Sequence, residues 1–517
     1  MENRTLYQWF AASAERYPGE PALEIGDQIL TYRELEERVL ALSARVAVPL
    51  TAAPGVDGTP RVALVASRTL SAYVGYLAIQ RAGAAVLPLN PDHPEQRNLD
   101  IAQRAGVVMA LVDGRRADPF ATLPRRFRPP VLTIGDDPEP AGAEGPPPVP
   151  TDTEAEAYIQ FTSGSTGRPK GVPIRHRNIS PYIAHNIARY EVGVGGRLSQ
   201  VFGLTFDVSA ADLFVTWGGG ATLVVPDQHD LYHPVEFITG RRLTHWFSVP
   251  SSARVAQQMG NLPLGRATGL RHSLFGGEAV TMKHAELWRK VAPNSDIHNL
   301  YGPTETTINC TEHRLTGDPS TWTPGSNGTV PIGVMYPGME ALVLDDQGRR
   351  ADEGELCLRG TQRFDGYLDP QENVGRFVLF EDDGPAVLYD GSEPLTARHW
   401  YRTGDRVRVE GGYLVCSGRL DQQVKILGHR IELGEVEAAM RRHPDVMDAA
   451  VVGVSDDGET RLYAFYTGTE LPPAEFDHWL RREIPIHMVP TKITYLEKMP
   501  LSENGKTDRG KLAEMPA

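Results

Sequence analysis

The sequence has few cysteines and no long hydrophobic run, and each absence excludes a class of protein. Only Cys310, Cys357 and Cys416 occur among 517 residues, without CxxC spacing, which argues against a disulfide framework or a zinc site. We expect buried or partly exposed thiols. No apolar run approaches the roughly 20 residues of a membrane span, and the polar start MENRT lacks the core of a secretory signal. These absences predict a cytoplasmic protein.

An excess of basic charge is also missing. The chain has 52 Lys and Arg residues against 66 Asp and Glu residues, a net charge of −14, which argues against nucleic-acid binding. Its length exceeds that of a single core and predicts at least two domains.

Strand-like and helix-like stretches alternate along most of the chain. Short apolar runs at 62–65 and 85–89 flank a helical stretch at 72–82, which predicts α/β layers. The alternation continues in the strands 221–225 and 246–249 and the helix 281–291. The proline-rich segment 136–150 predicts a surface connection.

The pattern of strand-like and helix-like stretches changes from about Gly404. Short strand-like runs such as 413–415 are followed by a helical stretch at 432–443 and a strand at 449–453. This order predicts a separate small α+β domain.

The sharpest local signal is FTSGSTGRPKG at 161–171. Glycines and hydroxyl residues let the backbone curl around a polyphosphate, whose oxygens can meet amides, hydroxyls and Lys170. A flexible Gly/Ser loop is the alternative. Lys170 is neither preceded by glycine nor followed by Ser or Thr, so this is not a Walker loop.

This string closely resembles the phosphate-binding signature of the adenylate-forming superfamily, which includes acyl-CoA synthetases, luciferases and nonribosomal-peptide adenylation domains. The resemblance runs from LTYREL at 30–35 through RAGA at 81–84 to the last residues. It implies a large N-terminal multi-subdomain α/β domain over 1–420 and a small mobile C-terminal α+β domain over 421–517, with a hinge at Asp421.

The resemblance also assigns nucleotide-binding residues. NLYGPTETT at 299–307 resembles the adenine and metal segment: Tyr301 would stack on the purine, Asn299 would bind its amine, Glu305 would hold Mg²⁺, and Thr304 would contact the α-phosphate. The implied nucleotide set is Thr162, Ser163, Gly164, Ser165, Thr166, Gly167, Lys170, Gly277, Asn299, Tyr301, Gly302, Thr304, Asp405 and Arg419.

Within that set, Asp405 in YRTGD resembles the ribose-binding aspartate, and Arg419 would contact ribose or phosphates. Lys506 in LSENGKTD resembles the family's catalytic lysine. Its cation would offset charge that develops as the substrate carboxylate attacks the α-phosphorus. The implied catalytic residues are Lys506, Thr166 and Glu305.

Asp207 in FDVS resembles the aspartate that binds the substrate's amino group, although an aspartate capping the next helix is the alternative. The implied substrate set is Asp207, Val208, Ala211, Phe247, Leu274, Gly276, Leu300, Ile308 and Asn309. Its mostly apolar wall disfavours charged side chains. We therefore expect a small to medium neutral amino acid such as glycine, alanine, serine, threonine or proline, and a β-amino acid stays open.

The implied reaction forms an aminoacyl-AMP from ATP with Mg²⁺ and then transfers the aminoacyl group to a carrier-protein phosphopantetheine thiol, as in nonribosomal peptide synthesis and antibiotic biosynthesis. Because the sequence starts at Met1 and ends soon after Lys506, we expect a separate carrier.

GTQRFDGY at 360–367 departs from the family, which commonly has an apolar residue near Arg363; we expect an altered surface loop there. The rival within enzymes is an acyl- or aryl-CoA ligase, which Asp207 disfavours. Retention of Lys170, Glu305, Asp405 and Lys506 disfavours a noncatalytic nucleotide-binding subunit.

Overall fold

The computed structural model describes residues 3–52, 58–137, 146–164, 168–381, 384–421, 423–456, 459–500 and 507–515. The helices are α1 Leu6–Arg16, α2 Tyr32–Ala52, α3 Leu70–Arg81, α4 Glu95–Arg104, α5 His176–Arg189, α6 Val208–Gly219, α7 Gln228–Tyr232, α8 Pro234–Gly240, α9 Pro250–Gln258, α10 Met282–Val291, α11 Leu433–Arg441, α12 Pro473–Glu483 and α13 Arg509–Glu514.

Strands β1 to β15, in chain order, are β1 Pro21–Ile25, β2 Gln28–Thr31, β3 Arg61–Val65, β4 Ala85–Leu89, β5 Met109–Asp113, β6 Val131–Ile134, β7 Glu156–Thr162, β8 Lys170–Arg175, β9 Arg197–Ser199, β10 Thr222–Val225, β11 His245–Ser248, β12 His272–Phe275, β13 Asp296–Tyr301, β14 Thr311–Leu315 and β15 Val334–Met335. The remaining strands are β16 Met339–Leu344, β17 Glu353–Gly360, β18 Phe377–Leu379, β19 Val387–Leu388, β20 Trp400–Glu410, β21 Tyr413–Arg419, β22 Gln423–Ile426, β23 His429–Glu432, β24 Val446–Asp456, β25 Glu459–Gly468 and β26 Lys492–Tyr495.

Two mainly parallel sheets lie in the large N-terminal part of the molecule. Their strand orders are β15-β14-β13-β12-β11-β9-β10-β1-β2 and β6-β5-β3-β4-β7-β8. Strands such as β4 and β10 are buried along their whole length, as expected where helices cover both faces of a parallel sheet. The adjacent carboxyl ends of β11, β12 and β13 create one edge at which ligands bind in open α/β sheets.

Helix boundaries follow local chemistry. Thr69 caps α3 by accepting a hydrogen bond from the amide of Ala72, and Thr281 caps α10 in the same way through the amide of His284. Gly83 follows α3 at φ +76°, the left-handed conformation that commonly ends a helix. The predicted strands at 62–65 and 85–89 and the predicted helix between them are confirmed.

A third, antiparallel sheet has the order β16-β17-β20-β18-β19, with β21 pairing with β20. The expectation that the sequence pattern from about Gly404 already belongs to the small domain is wrong, because residues 413–415 lie in β21 and pair with β20. A change from parallel to antiparallel pairing does not by itself mark a domain boundary. Here the antiparallel sheet belongs to the large N-terminal part of the molecule.

The C-terminal part consists of the hairpin β22-β23, the sheet β24-β25-β26 and three helices. Its apolar side chains pack with one another in a core that includes Ile431, Val436, Val451, Phe476 and Leu480. The mixed α/β architecture with a small C-terminal domain is thus confirmed. The exact boundary at Asp421 stays a prediction.

The three cysteines are free and at least partly buried, as the sequence predicts. Cys310 and Cys357 are buried and Cys416 is partly buried, all as free thiols. Among the described residues, no helix has the length and apolar character to cross a bilayer.

Candidate active site

Predicted site residues converge at a cleft between the two mainly parallel sheets and the small domain. One cavity of about 180 Å³ is lined by Thr162, Ser163, Asp207, Val208, Thr304, Ile308 and Asn309. A neighbouring cavity of about 810 Å³ is lined by Asn299, Leu300 and residues of the small domain. Both cavities share Gly277, Tyr301, Gly302, Asp405 and Arg419. Residues that lie far apart along the chain therefore meet in one place.

Asp207 stands immediately before α6, but its side chain makes no capping hydrogen bond. Its Oδ2 atom is buried and has no hydrogen-bond partner within the described part of the chain. Burial raises the pKa of Asp207 to about 6, partly offset by hydrogen bonds from the Thr304 hydroxyl and the amides of Val208 and Ile308. A buried carboxylate oxygen with no partner is costly unless a ligand supplies the donor.

The nucleotide side of the cleft is built around Asp405. The Tyr301 hydroxyl donates to Asp405 Oδ2 at 2.6 Å, and Arg419 Nη1 donates to Asp405 Oδ1 at 2.8 Å. Asn299 Nδ2 donates to the backbone oxygens of Val330 and Pro331 at 3.0 and 2.9 Å. This leaves Asn299 Oδ1 as an acceptor, which is what an exocyclic amine requires.

Two glycines in the cleft have structural reasons to be glycine. A Cβ on Gly302 would lie 2.5 Å from the backbone oxygen of Ile308 and 2.6 Å from the Asn309 Cα. Gly277 holds φ +84°, and its Cβ would face Gly428 of the small domain at 3.6 Å. Both allow close backbone approach at the cleft wall.

Glu305 is 1% exposed and already has partners on both carboxylate oxygens. Tyr367 donates to Oε1 at 2.6 Å, and Arg430 Nη1 donates to Oε2 at 3.1 Å. Burial alone would favour the neutral acid, but Arg430 and the Tyr367 hydroxyl outweigh it and hold the pKa of Glu305 below its usual value.

Lys170 begins β8 and is buried beside the same group. Its Nζ lies 5.1 Å from the ring centroid of Tyr367, within the range of a cation–π contact. Burial and the nearby Arg376 lower the pKa of Lys170. Ser163 Oγ donates to the Arg430 backbone oxygen at 2.7 Å, so the phosphate-loop segment contacts the small domain directly.

Several predicted residues lie outside the described part of the chain: Ser165, Thr166, Gly167 and Lys506. Gly164, which precedes them, is described, and a Cβ there would lie 2.0 Å from the Arg168 backbone oxygen. The tight approach at Gly164 accounts for glycine at that position.

The predicted substrate set does not form one continuous wall. Ala211, Phe247 and Leu274 line a separate cavity of about 40 Å³, while Gly276 lies against Leu300 and Phe247. Asp212 also lines this cavity, and its Oδ2 has no hydrogen-bond partner among the described residues. Burial holds the pKa of Asp212 well above its usual value.

The prediction of a surface loop at 360–367 is wrong. Gln362 and Arg363 are 2% and 6% exposed. Arg363 donates to the backbone oxygens of Phe364 and Thr396 at 2.7 and 3.0 Å and lies over the Phe377 ring. These partners satisfy a buried guanidinium, which explains why a polar residue is accommodated where the family commonly has an apolar one.

Gln362, which was not among the predicted site residues, holds the backbone of a segment that lines the cleft. Thr307 and Ile308 hold φ of 56° and 74°, a conformation that costs free energy for residues with a branched Cβ. Gln362 Nε2 lies within 3.2 Å of the backbone oxygens of Thr306 and Thr307 and within 2.8 Å of that of Asn309. No local signal in the sequence pairs positions so far apart.

A second group of possible metal ligands lies away from the cleft. His272, Asp296 and His298 bring ligand atoms within 4.8 Å of one another. However, His272 and His298 share a hydrogen bond of 3.1 Å, His298 also bonds Glu312, and Asp296 pairs with Arg314. These bonds already account for the cluster.

Comparisons with known proteins agree with this geometry. Residues 10–368 match the family model for AMP-binding enzyme, and residues 435–506 match that for the AMP-binding enzyme C-terminal domain. Phosphinothricin tripeptide synthetase PhsC of Streptomyces viridochromogenes is 35% identical over 99% of this chain and 45% of PhsC. This chain therefore spans less than half the length of that relative.

Two solved structures extend the comparison. IdnL7 is 34% identical with a TM-score of 0.71, and the alignment covers 99% of both chains. The adenylation domain AlmE of Vibrio cholerae, in complex with glycyl-adenosine-5'-phosphate, is 27% identical with a TM-score of 0.82 over 99% of this chain and 98% of AlmE. Together with the family models, these matches confirm the resemblance inferred from the motifs, and the chain belongs to the AMP-binding enzyme family of adenylate-forming ligases.

Proposed function

We propose that this protein activates a neutral, small to medium amino acid as its aminoacyl-AMP and transfers the aminoacyl group to the phosphopantetheine thiol of a carrier protein. The observation that carries this proposal is the Oδ2 atom of Asp207 in the cleft, which has no hydrogen-bond partner among the residues that the structure describes. An unsubstituted acyl or aryl acid has no donor for that oxygen, whereas an ammonium group donates hydrogen bonds and compensates the charge.

The neighbouring residues support ATP as the second substrate. Tyr301 and Asp405 line the wall shared by the two cavities, and Asn299 lines the larger cavity. Tyr301 offers an aromatic face, Asn299 offers its Oδ1 as an acceptor, and Asp405 offers the remaining lone pairs of the oxygens to which Tyr301 and Arg419 donate. In our proposal these groups hold adenine and ribose, while Thr162, Ser163 and the rest of the phosphate loop orient the polyphosphate. The carboxylate of the amino acid then attacks the α-phosphorus, and pyrophosphate leaves.

Lys506 has an assigned role in this reaction by resemblance alone. Its cation would stabilise negative charge between the substrate carboxylate and the α-phosphate. In the second step, the carrier thiol attacks the carbonyl carbon of the mixed anhydride, loses its proton, and AMP leaves with the electrons of the broken C–O bond.

Mg²⁺ enters the proposal through Glu305, but the observed arrangement does not fit a bound ion. Mg²⁺ prefers octahedral oxygen coordination at about 2.0–2.1 Å with several waters. Both oxygens of Glu305 have donors, and the side chain is 1% exposed. We therefore derive no step through the metal in this arrangement.

The side-chain pocket supports a small neutral substrate. Val208 and Ile308 line the cleft beside Asp207, and the cavity behind Ala211 has only about 40 Å³. A single methylene changes such a preference by about 1–3 kcal/mol, so the residue set supports a size class and does not name one amino acid. AlmE, which was solved with a glycyl adenylate, is consistent with that class.

The test is pyrophosphate exchange with a panel of acids. We expect exchange with neutral α-amino acids, with β-amino acids as a separate arm, and far less with the matching carboxylic acids that lack the amino group. Loading of a purified holo carrier protein is then measured by intact mass spectrometry. Exchange dominated by fatty or aryl acids, with thioester formed on coenzyme A, would instead establish a CoA ligase.

A further inference from the structure

Asn309 places an amide in an apolar part of the cleft wall. It is 3% exposed and lines the same cavity as Asp207, together with Val208 and Ile308. Its Nδ2 atom donates to the Tyr182 hydroxyl at 3.3 Å. This contact uses one end of the amide, and no donor from the described part of the chain reaches Oδ1. The cleft therefore offers a buried acceptor among apolar side chains.

Two contacts hold this residue in place. Tyr182, which was not among the predicted site residues, lies on α5 and is 2% exposed, so its hydroxyl contacts the amide from the protein interior. Gln362 Nε2 donates to the Asn309 backbone oxygen at 2.8 Å. The main chain and the side chain of Asn309 are thus both fixed before a substrate binds. A preorganised group loses little conformational entropy when its ligand arrives.

The backbone segment that carries Asn309 also contacts Asp207. The amide of Ile308 donates to the Asp207 carboxylate, and Asn309 is the next residue. An amino acid whose ammonium group binds Asp207 therefore lies in the cavity that Asn309 lines. An apolar side chain there would bury the amide oxygen without a donor, which costs free energy. A hydroxyl group removes that cost, and because it both donates and accepts, it also pairs with the amide turned by 180°.

We infer that Asn309 binds a hydroxyl group on the side chain of the substrate, so that the enzyme selects a small hydroxylated amino acid over an apolar one of the same size. Serine and threonine are the simplest members of this class. Tyr182 is the positioning residue that orients the amide. The inference rests on the proposed function, because Asp207 must hold the ammonium group for the side chain to meet Asn309. A site that binds a hydroxyl group rejects the analogue without it, because its own polar group is then left unpaired.

The first experiment measures pyrophosphate exchange by the wild-type chain with isosteric pairs of amino acids. Serine is compared with 2-aminobutyrate and threonine with valine, since each pair exchanges a hydroxyl group for a methyl group. In the pair that the enzyme prefers, we expect kcat/KM to be higher for the hydroxylated member by about thirtyfold or more. Equal exchange within both pairs, or faster exchange with the methyl members, would overturn the inference.

The second experiment measures the same ratio of kcat/KM values in variants. Asn309→Leu has a similar volume and no hydrogen-bonding group, so the ratio should fall to about one. Tyr182→Phe keeps the ring but releases the amide, and the ratio should fall about fivefold. Tyr32→Phe is the matched control: it removes a buried hydroxyl that donates to the Ala221 backbone oxygen at 2.8 Å, at a residue that lines neither cavity of the cleft. A ratio that stays at the wild-type value in Asn309→Leu and Tyr182→Phe would show that both residues are merely structural and would refute the inference.

The outcomes separate this inference from the proposed function. If exchange is fast with glycine or alanine and slow with every hydroxylated amino acid, amino-acid activation stands and the role of Asn309 is refuted. If no amino acid supports exchange but a carboxylic acid without an amino group does, the proposed function itself fails. If circular dichroism shows that Asn309→Leu does not fold, the isosteric pairs with the wild type and with Tyr182→Phe still decide the question.

Discussion

Arg419 and Asp421 form a two-pronged ion pair, with Nε–Oδ1 and Nη2–Oδ2 distances of 2.6 and 2.7 Å. The third nitrogen of the same guanidinium contacts Asp405 at 2.8 Å. Arg419 thus connects the residue predicted to be the hinge with the residue predicted to bind ribose. A single planar group with five donors can make this arrangement, whereas a lysine ammonium cannot.

We therefore expect Arg419→Lys to raise the KM for ATP about tenfold, which corresponds to about 1.4 kcal/mol. Its effect on the free energy of unfolding should be smaller, because Arg419 lies at the cleft rather than in a core. Pyrophosphate exchange at varied ATP measures the first quantity and urea unfolding the second. An ATP KM equal to that of the surface control Arg359→Lys would contradict the role of Arg419.

Asp207→Asn should raise the KM for the amino acid about a hundredfold and leave the KM for ATP nearly unchanged, since a charge-assisted bond to the ammonium is lost. The free energy of unfolding should stay equal or increase, because the variant removes a buried negative charge whose Oδ2 atom has no partner in the described part of the chain. Asp212→Asn is the control: Asp212 lies within α6, is 5% exposed, and lines the separate cavity rather than the cleft. A similar KM change in both variants would refute the amine-binding role.

The pH dependence should separate binding from stability. Burial raises the pKa of Asp207 to about 6, so kcat/KM for the amino acid should fall as pH decreases through about 6, where the carboxylate becomes neutral. The native acid binds its proton more tightly than the unfolded chain does. Its contribution to the free energy of unfolding should therefore increase as pH falls from above 6 toward its ordinary pKa.

Wild type and Asp207→Asn are compared across this pH range by exchange kinetics and by urea unfolding. Both pH-dependent differences should disappear in the variant. If kcat/KM for the amino acid still falls near pH 6 in Asp207→Asn, another group is responsible for the titration.

Gln362→Leu should lower the free energy of unfolding by about 1–3 kcal/mol, since buried backbone oxygens at 306, 307 and 309 lose their shared donor. We also expect the amino-acid KM to rise several-fold, because the strained Ile308 beside Asp207 loses support. Gln347→Leu, at an exposed position, is the control. Unchanged stability would show that the loop holds its conformation without Gln362.

Lys506→Ala should reduce adenylation by orders of magnitude while largely sparing folding. Lys511→Ala, an exposed lysine in α13, is the control in the same terminal segment. Single-turnover formation of aminoacyl-AMP and circular dichroism measure the two effects. Near-wild-type adenylation by Lys506→Ala would refute its catalytic role.

Much of the fold was predictable from local patterns. Apolar runs around a helical stretch predicted β3, α3 and β4, and the glycine-rich string marked the phosphate loop, because period and turn chemistry are properties of neighbouring residues. The segment 413–415 misled the domain interpretation, since a strand pattern does not specify its partner. Arg363 led to the wrong prediction of a surface loop, because the backbone oxygens that satisfy its guanidinium come from Phe364 and the distant Thr396.

From the sequence by itself came the prediction of the chemical groups of the candidate site: Asp207, Asn299, Tyr301, Glu305 and Asp405 stand in short motifs that resemble those of the family. Tertiary structure alone decided which oxygens are still free. Within the described ranges, Asp207 keeps one carboxylate oxygen without a donor. Both oxygens of Glu305 have donors, because Tyr367 and Arg430 reach it from distant segments. The physical reason is that hydrogen-bond capacity is a property of each residue, but its use depends on which segments folding brings within about 3 Å.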